Sequence, residues 1–152
     1  MCIRDSYGID PARVGVWGGS AGGHLAALAA TTCGVASLDS APQPAGSECV
    51  QAAAIWYGVF DFAPLAGAAR AAPNRFLGCE ACAPYQISAA SPVTYVDPTD
   101  PPFLLIHGEG DRTVPVAQSR EAERRLRAAG VAVDAMYIAG VDHSFILSLI
   151  HI

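Results

Sequence analysis

The sequence lacks a long apolar run, an excess of positive charge and internal repeats. Although 52% of its 152 residues are hydrophobic, no apolar run approaches the ~20 residues that a membrane-spanning helix needs. Charged residues make up only 15% of the chain, and its formal net charge is −5. This charge argues against a nucleic acid or an anionic membrane as a partner. Length and composition instead predict one globular domain with an apolar core.

The most informative segment is a glycine-rich turn between an apolar stretch and an alanine-rich stretch. The stretch Val14–Trp17 predicts a short strand, Gly18–Gly22 has the pattern G-x-S-x-G, and the residues from Ala21 to about Thr32 predict a helix. A glycine-rich turn between two elements would explain the pentapeptide alone. Strand, turn and helix in this order are typical of a nucleophile elbow, which exposes the hydroxyl of a serine, here Ser20.

Two later segments supply the partners that such a serine needs. The apolar run Phe103–Ile106 predicts a buried strand that leads into His-Gly-Glu-Gly and then Asp111. Ala135–Ile138 predicts another strand, and the loop after it contains His143. The chain order is therefore serine, aspartate, histidine, as in α/β-hydrolases. In this arrangement Ser20 is the nucleophile, His143 its general base, and Asp111 the group that orients and stabilises the imidazole.

These motifs resemble the carboxylesterase branch of the α/β-hydrolases, in particular bacterial acetyl-esterase and feruloyl-esterase-like enzymes related to hormone-sensitive lipase. The matching letters are Y-G-I-D-P-A-R-V-G-V-W-G-G-S-A-G-G-H-L-A-A-L, A-S-P-V-T-Y-V, P-P-F-L-L-I-H-G-E-G-D-R-T-V-P and G-V-D-H-S-F. The resemblance implies an α/β-hydrolase fold, here the C-terminal part of a mostly parallel sheet flanked by helices. It implies hydrolysis of a small-molecule or polysaccharide-linked ester through an acyl-enzyme, without a cofactor or metal.

The same resemblance implies that one oxyanion donor is the backbone N–H of Ala21. The second donor would come from an H-G-G type loop that precedes the given residues, together with the N-terminal strands. Residues 1–6 and 147–152 can be encoded by DNA strings that are nearly reverse complements of one another and that resemble a sequencing adapter. We therefore expect both hexapeptides to be foreign to the protein and expect 7–146 to be the fragment of the hydrolase domain.

The remaining segments predict alternating strands and helices. We expect a surface loop over 35–48, a strand over 52–57 and a helix over 115–129 that ends before Gly130. The proline-rich segment 63–101 has little periodicity, which favours a lid or cap outside the sheet. The whole pattern predicts a parallel sheet with helices on its faces.

Several polar and aromatic residues near the predicted strand ends allow more than one interpretation. Asp61 and four aromatic residues lie at a strand end, and Phe145 follows His143, so each would line a substrate pocket or belong to the core. The four aromatic residues are Trp56, Tyr57, Phe60 and Phe62. The histidines at 24 and 107 favour packing or local hydrogen bonds over catalysis. Glu109 and Asp142 compete with Asp111 for the role of the triad acid. Glu109 lies two residues before the motif position, and Asp142 is the direct neighbour of His143, which makes triad geometry difficult.

The cysteines indicate an oxidising compartment. Apart from the one in the first hexapeptide there are four, Cys33, Cys49, Cys79 and Cys82, and all of them lie in segments that predict loops. Their even number and placement favour the disulfides Cys33–Cys49 and Cys79–Cys82, one of three possible connectivities, and hence a secreted or periplasmic protein. Free thiols, a redox pair or half of a zinc site at C-x-x-C are the alternatives.

Three functions remain consistent with the sequence. The first is a serine carboxylesterase. The second is a serine peptidase of the prolyl-oligopeptidase type, which has a similar arrangement of motifs but commonly carries a bulky aromatic residue after the nucleophile, where this chain has Ala21. The third is an inactive, truncated hydrolase domain. The sequence does not predict the oligomeric state or the specificity for acyl and alcohol groups.

Overall fold

The fold is built around a four-stranded parallel sheet. The computed structural model describes residues 7–10, 12–38 and 49–145, so the two terminal hexapeptides and most of the predicted loop over 35–48 lie outside the described residues. The strands lie side by side in the order β1-β2-β3-β4, and every pairing is parallel. Their bounds are β1 Gly15–Gly19, β2 Ala52–Trp56, β3 Phe103–Gly108 and β4 Val133–Ile138. The predicted strands are confirmed, with ends that differ by one or two residues.

The helices occupy the connections between these strands. Their bounds are α1 Ala21–Thr31, α2 Ala68–Leu77, α3 Pro84–Ala89 and α4 Ala117–Ala128, with a 3₁₀ turn at Pro92–Thr94. The helices predicted over 21–32 and 115–129 are confirmed. The chain leaves α4 through Gly130, whose φ of 86° requires glycine. None of the helices in the described part of the chain is long and apolar enough to cross a membrane.

One face of the sheet forms the core. Ile55 and Leu105 on the central strands are fully buried, together with Ala27 of α1 and Leu126 of α4, in one hydrophobic cluster. The alanines of α1 let that helix approach the strands closely. The opposite face exposes large apolar side chains: Trp17, Leu104 and Met136. The predicted parallel sheet flanked by helices is confirmed, and among the described residues α1 and α4 pack on the face that forms the core.

The segment between β2 and β3, which we call the cap segment (residues 59–102), forms no strand. This confirms the prediction for its middle part, but the two helices α2 and α3 were not predicted, because Pro73 inside α2 is unfavourable for a helix. The cap segment has a small hydrophobic cluster of its own, formed by Phe62, Leu65, Ile87 and Ala90.

Both predicted disulfides are present in the structure. Cys33, just after α1, pairs with Cys49, just before β2, with a Cα–Cα distance of 5.1 Å. Cys79 and Cys82 pair immediately after α2, with a Cα–Cα distance of 5.2 Å. The first disulfide ties a helix to the sheet, and the second closes a tight loop in the cap segment.

Candidate active site

Ser20 occupies a strained turn between β1 and α1. Its φ of 55° and ψ of −122° lie outside the regions that a residue with a side chain ordinarily adopts. Two hydrogen bonds hold this conformation: the Ser20 N–H donates to the Trp56 carbonyl at 2.9 Å, and the Ser20 carbonyl accepts from the His24 N–H at 3.0 Å. The turn is thus fixed by β2 on one side and by the first turn of α1 on the other.

The glycines around Ser20 differ in whether the structure leaves room for a side chain. A Cβ on Gly18 would run into the Gly22 carbonyl, and a Cβ on Gly23 would lie 3.0 Å from the Gly58 Cα. Gly22 itself faces open space. The close approach of strand and helix therefore requires glycine at 18 and 23, whereas the last glycine of the pentapeptide is not demanded by contacts among the described residues.

The structure brings together the three residues predicted as a triad, with Ser20 in contact with His143 and His143 in contact with Asp111. His143 Nε2 lies 2.9 Å from Ser20 Oγ, and His143 Nδ1 lies 2.7 Å from Asp111 Oδ2. Asp111 follows the end of β3, and His143 lies in the loop that follows β4, so the parallel strands bring both to the same edge of the sheet as Ser20. Ligand sites of open parallel sheets lie at this edge, beyond the carboxyl ends of the strands.

The carboxylate of Asp111 is buried, and the oxygen that does not contact His143 accepts two hydrogen bonds. Asp111 Oδ1 accepts hydrogen bonds from the N–H groups of Thr113 and Val114, both at 2.8 Å. The whole side chain is inaccessible to solvent. These two backbone donors orient the carboxylate so that Oδ2 faces the histidine.

The two competing acids have other partners. Glu109 forms an exposed ion pair with Arg120 at 2.6 Å. Asp142 Oδ1 accepts from the N–H groups of Arg112 and His143, and these bonds hold the pKa of Asp142 below its ordinary value. The carboxylate that hydrogen-bonds the imidazole of His143 is that of Asp111.

Ala21 is the residue whose N–H is predicted to donate to an oxyanion. It is the first residue of α1, so its N–H has no partner inside the helix and points away from the helix N-terminus beside Ser20. The positive end of the helix dipole adds to the favourable potential for a negative charge at this place.

A cavity of about 430 Å³ opens next to Ser20. Its walls are mostly apolar and come from α1, the cap segment and the loop after Asp111. Ser20 itself lines the cavity, together with Ala21, His24 and Leu25 of α1; the residues from the cap segment are Val59, Phe62, Leu65, Ala69, Ala72, Pro73 and Phe76; and those from the loop are Arg112, Thr113 and Val114.

His24 is the buried polar residue of this cavity. Its Nδ1 donates to the Val59 carbonyl at 3.1 Å, and its ring stacks on Phe62 with the centroids 4.6 Å apart. Burial lowers the pKa of His24 more than the bond to Val59 raises it. The ring therefore favours the neutral form and packs as an aromatic surface, which agrees with the expected packing role.

Among the residues predicted to line a pocket or to belong to the core, Phe62 lines this cavity, whereas Phe60, Asp61 and Phe145 lie outside it. Phe60 is buried in the main core, and its backbone N–H donates to the Gln118 side chain at 2.9 Å. Asp61 Oδ1 caps the turn by accepting from the Ala63 N–H. Phe145 packs against Trp56, with ring centroids 5.6 Å apart. Sequence position after a strand did not separate these structural roles from substrate contact.

Two further residues, Tyr57 and His107, lie against the triad. Tyr57, with a φ of 38°, places the edge of its ring against His143, with the centroids 4.7 Å apart. His107, expected to satisfy local backbone groups, does contact the Val114 carbonyl, but it also lies 3.2 Å from Asp111 Oδ2. The only sequence signal for His107 was its place four residues before Asp111.

The described residues contain no group of three or more histidine, cysteine or acidic side chains that would hold a metal ion. The four cysteines outside the first hexapeptide are paired with each other instead.

Comparison with known proteins places this site in a family. The chain is 38% identical over 155 residues to the esterase LipQ of Mycobacterium tuberculosis (strain ATCC 25618 / H37Rv), an alignment that covers 93% of this chain and 35% of LipQ. It is 39% identical over 132 residues to the probable carboxylic ester hydrolase LipM of the same organism, covering 80% of this chain and 29% of LipM. The chain thus spans about a third of the length of these curated relatives.

Solved structures of esterases share the fold. An acetyl ester-xyloside bifunctional hydrolase from Caldicellulosiruptor lactoaceticus superposes with a TM-score of 0.82 at 29% identity, over 95% of this chain and 52% of that one. Thermogutta terrifontis esterase 2, phosphoramylated by tabun, superposes with a TM-score of 0.71 at 26% identity, over 91% of this chain and 47% of that one. The BD-FAE family model matches residues 4–126. The chain therefore belongs to the BD-FAE family, and its parallel sheet is part of the α/β-hydrolase fold of carboxylesterases.

Proposed function

We propose that this chain carries the catalytic residues of a serine carboxylesterase that works through an acyl-enzyme. The observation that carries the proposal is the continuous chain of contacts from Ser20 Oγ through the His143 ring to Asp111 Oδ2, with distances of 2.9 and 2.7 Å. The relatives named as esterases support the reaction class.

The geometry supports a defined role for each residue. His143 Nε2 takes the proton of Ser20 as the hydroxyl oxygen attacks the ester carbonyl, and Asp111 keeps the imidazole in the tautomer that allows this. The N–H of Ala21 donates to the carbonyl oxygen as it becomes negative. His143 then returns its proton to the leaving alcohol, and water hydrolyses the acyl-enzyme by the same steps.

The cavity beside Ser20 fits the acyl part of the substrate. Its lining residues include none from the loop of His143 in the part of the chain that the structure describes. Because the leaving alcohol must receive its proton from His143, the alcohol leaves on the side of that loop, and the acyl group lies in the apolar cavity. Walls formed by Phe62 and Phe76 favour a small apolar or flat acyl group, and the substrate is a small-molecule or polysaccharide-linked ester.

The disulfides support a location outside the reducing cytoplasm. Two disulfides in a chain of this size are typical of secreted or periplasmic proteins. We therefore place the protein in an oxidising compartment as part of the proposal.

Intact mass spectrometry with a fluorophosphonate probe tests both parts of the proposal. A single adduct on this chain and none on Ser20→Ala is the expected result, since only an activated serine reacts. The unlabelled mass should lie about four hydrogens below that of the reduced chain, as two disulfides require. No adduct on the parent chain would contradict an active site in these residues, and reaction of Cys33, Cys49, Cys79 and Cys82 with a thiol reagent after denaturation without reductant would contradict the compartment.

A comparison of substrates separates the esterase from the peptidase. We expect hydrolysis of 4-nitrophenyl acetate and no cleavage of a proline-containing peptide amide. Faster cleavage of the amide would reverse the assignment.

A further inference from the structure

A second imidazole contacts the proposed catalytic carboxylate. His107 lies near the end of β3 and is fully buried. Its Nε2 lies 3.2 Å from Asp111 Oδ2, the oxygen that His143 Nδ1 contacts at 2.7 Å. Two histidines therefore share one carboxylate oxygen, and the mechanism above uses only one of them.

The surroundings of His107 determine which of its nitrogens carries the hydrogen. Nε2 faces the Val114 carbonyl at 2.9 Å as well as Asp111 Oδ2. Both of these oxygens can only accept, so Nε2 must be the donor. Nδ1 lies 2.7 Å from the hydroxyl of Ser119, which donates to it when the ring is neutral. A single tautomer thus satisfies both nitrogens of a buried ring.

The neutral ring is the favoured state. Burial lowers the pKa of His107 more than the contacts with Val114 and Asp111 raise it, and the nearby His143 lowers it further. His107 is therefore a fixed hydrogen-bond donor at neutral pH, not a second base and not a second positive charge.

We propose that His107 is a positioning residue, whose Nε2–H, hydrogen-bonded to the Val114 carbonyl, also faces Asp111 Oδ2 at 3.2 Å and so limits the negative charge that Asp111 presents to His143. The assignment rests on the proposed function, because it concerns the same triad. Thr113 and Val114 fix the other oxygen, Oδ1, and His107 fixes Oδ2 from within the core. A donor on Oδ2 draws electron density away from the bond to His143 and weakens the stabilisation of the imidazolium.

The other groups around the pair are the same in every variant discussed below. Arg112 and Asp142 pair with each other at 3.5 Å in the loops beside the triad, and their side chains are 89% and 53% exposed. Tyr57 places its ring edge against His143. The exposed pair of Glu109 and Arg120 lies beyond the end of β3. Differences between variants at position 107 therefore report on the donor to Asp111.

The test compares three variants with the parent chain. His107→Phe keeps an aromatic ring and removes the donor, and His107→Gln restores an N–H group near the same place. Leu126→Ala is the matched control, because it empties part of the core behind β3 without touching Asp111 or His143. The readout is the pH midpoint at which the His143 ring signal moves in proton NMR spectra, which needs no turnover.

We expect the midpoint of His143 to rise by about 0.5 to 1 pH unit in His107→Phe, since the carboxylate then directs its full charge to the imidazolium. It should return close to the parent value in His107→Gln and stay unchanged in Leu126→Ala. The acidic limb of fluorophosphonate labelling should move in the same direction. A role in packing alone predicts the opposite: a displaced Asp111 would lower the midpoint, and an equal change in Leu126→Ala would likewise overturn the proposal.

One measurement on the parent chain tests the assignment even where His107→Phe does not fold. Nitrogen-15 spectra of the labelled protein at pH 7 should show His107 as a neutral ring with its hydrogen on Nε2. A hydrogen on Nδ1, or on both nitrogens, would overturn the proposal. Failure of the parent to react with the fluorophosphonate would instead overturn the proposed function, and the NMR result would still decide the role of His107.

Discussion

The triad and the cap segment are built in different ways, although they meet at the same cavity. Ser20, Asp111 and His143 each follow the end of a parallel strand, and backbone hydrogen bonds fix the turn at Ser20 and the carboxylate of Asp111. The cap segment adds its wall through side chains, from a helix that contains Pro73 and a hydrophobic cluster separate from the main core. The chemistry therefore depends on the sheet, whereas the shape of the cavity depends on an insertion that can change without disturbing it.

The largest effect expected on the triad side comes from Asp111→Asn. The amide oxygen of the new side chain would accept from the N–H groups of Thr113 and Val114, so the amide nitrogen would face His143 and His107. A donor in that position forces His143 into the tautomer whose Nε2–H points at Ser20. We expect fluorophosphonate labelling to slow by about 10³–10⁴-fold, measured as a rate constant from the time course of the adduct.

Asp142→Asn is the matched control for that variant. Asp142 lies beside His143 but accepts only backbone N–H groups and an exposed arginine, and an amide oxygen accepts equally well. Its labelling rate should stay within about threefold of the parent rate, as for other exposed pairs of this kind. Equal losses in the two variants would contradict the assignment of the acid.

On the cap side we expect a smaller effect, confined to substrate binding. Phe76 is 60% exposed and lines the cavity, with its ring edge toward His24 at a centroid distance of 5.9 Å. Removal of this ring in Phe76→Ala should raise KM for 4-nitrophenyl butanoate about three- to tenfold with little change in kcat, because apolar contact is lost equally in the ground and transition states.

Tyr85→Ala provides the control for the cavity wall. Tyr85 is 74% exposed on α3 and is not among the residues that line the cavity. Its KM should equal that of the parent. A fall in kcat in Phe76→Ala would show that the cap segment supports the triad directly, and the distinction between the two regions would then fail.

The difference between the triad and the cap segment also determines how much of each could be predicted from the sequence. The strand before Ser20, the strand before Asp111 and the loop with His143 follow from local patterns, and the parallel sheet brings their ends together. The cap segment gives no such pattern, since α2 contains a proline and its apolar residues face a cavity instead of a periodic core. Phe60 illustrates the limit: its position after a strand fits a pocket residue, but its side chain packs in the main core, and its N–H is bonded to Gln118, 58 residues further along the chain.

His107 shows a second limit. The sequence places His107 four residues before Asp111, but this spacing does not distinguish a side chain that faces solvent from one that faces the backbone or the carboxylate. The contact of His107 with Asp111 depends on the turn that follows β3, in which the Val114 carbonyl accepts a hydrogen bond from His107 Nε2. The role of a residue that acts through another residue therefore needs three-dimensional distances, even where the acting residue itself is predicted from its motif.

The smallest expected effect concerns the stability of the turn that leads from the cap segment into β3. Partial burial raises the pKa of Asp100 to about 6, although its carboxylate accepts from the Asp97 N–H. The unfolded chain loses the Asp100 proton near the ordinary value of 3.8, so the fold loses stability as the pH rises from about 4 to 6. Asp100→Asn keeps the hydrogen-bond acceptor and has no charge to bury. After allowance for solvent screening we expect about 1 kcal/mol of stabilisation at pH 7, or about 2–4 °C in Tm. This gain should vanish at pH 3, where the aspartate is neutral in both states. Thermal unfolding followed by circular dichroism at the two pH values measures the difference.

Asp97→Asn should act in the opposite direction at pH 7, because hydrogen bonds from Thr99 lower the pKa of Asp97. Asp100 precedes the N-terminal end of β3, whereas the triad residues follow the carboxyl ends of the strands. Labelling of Ser20 should therefore proceed at the parent rate in both variants, and a change in that rate would show that the cap segment and the catalytic edge of the sheet are coupled.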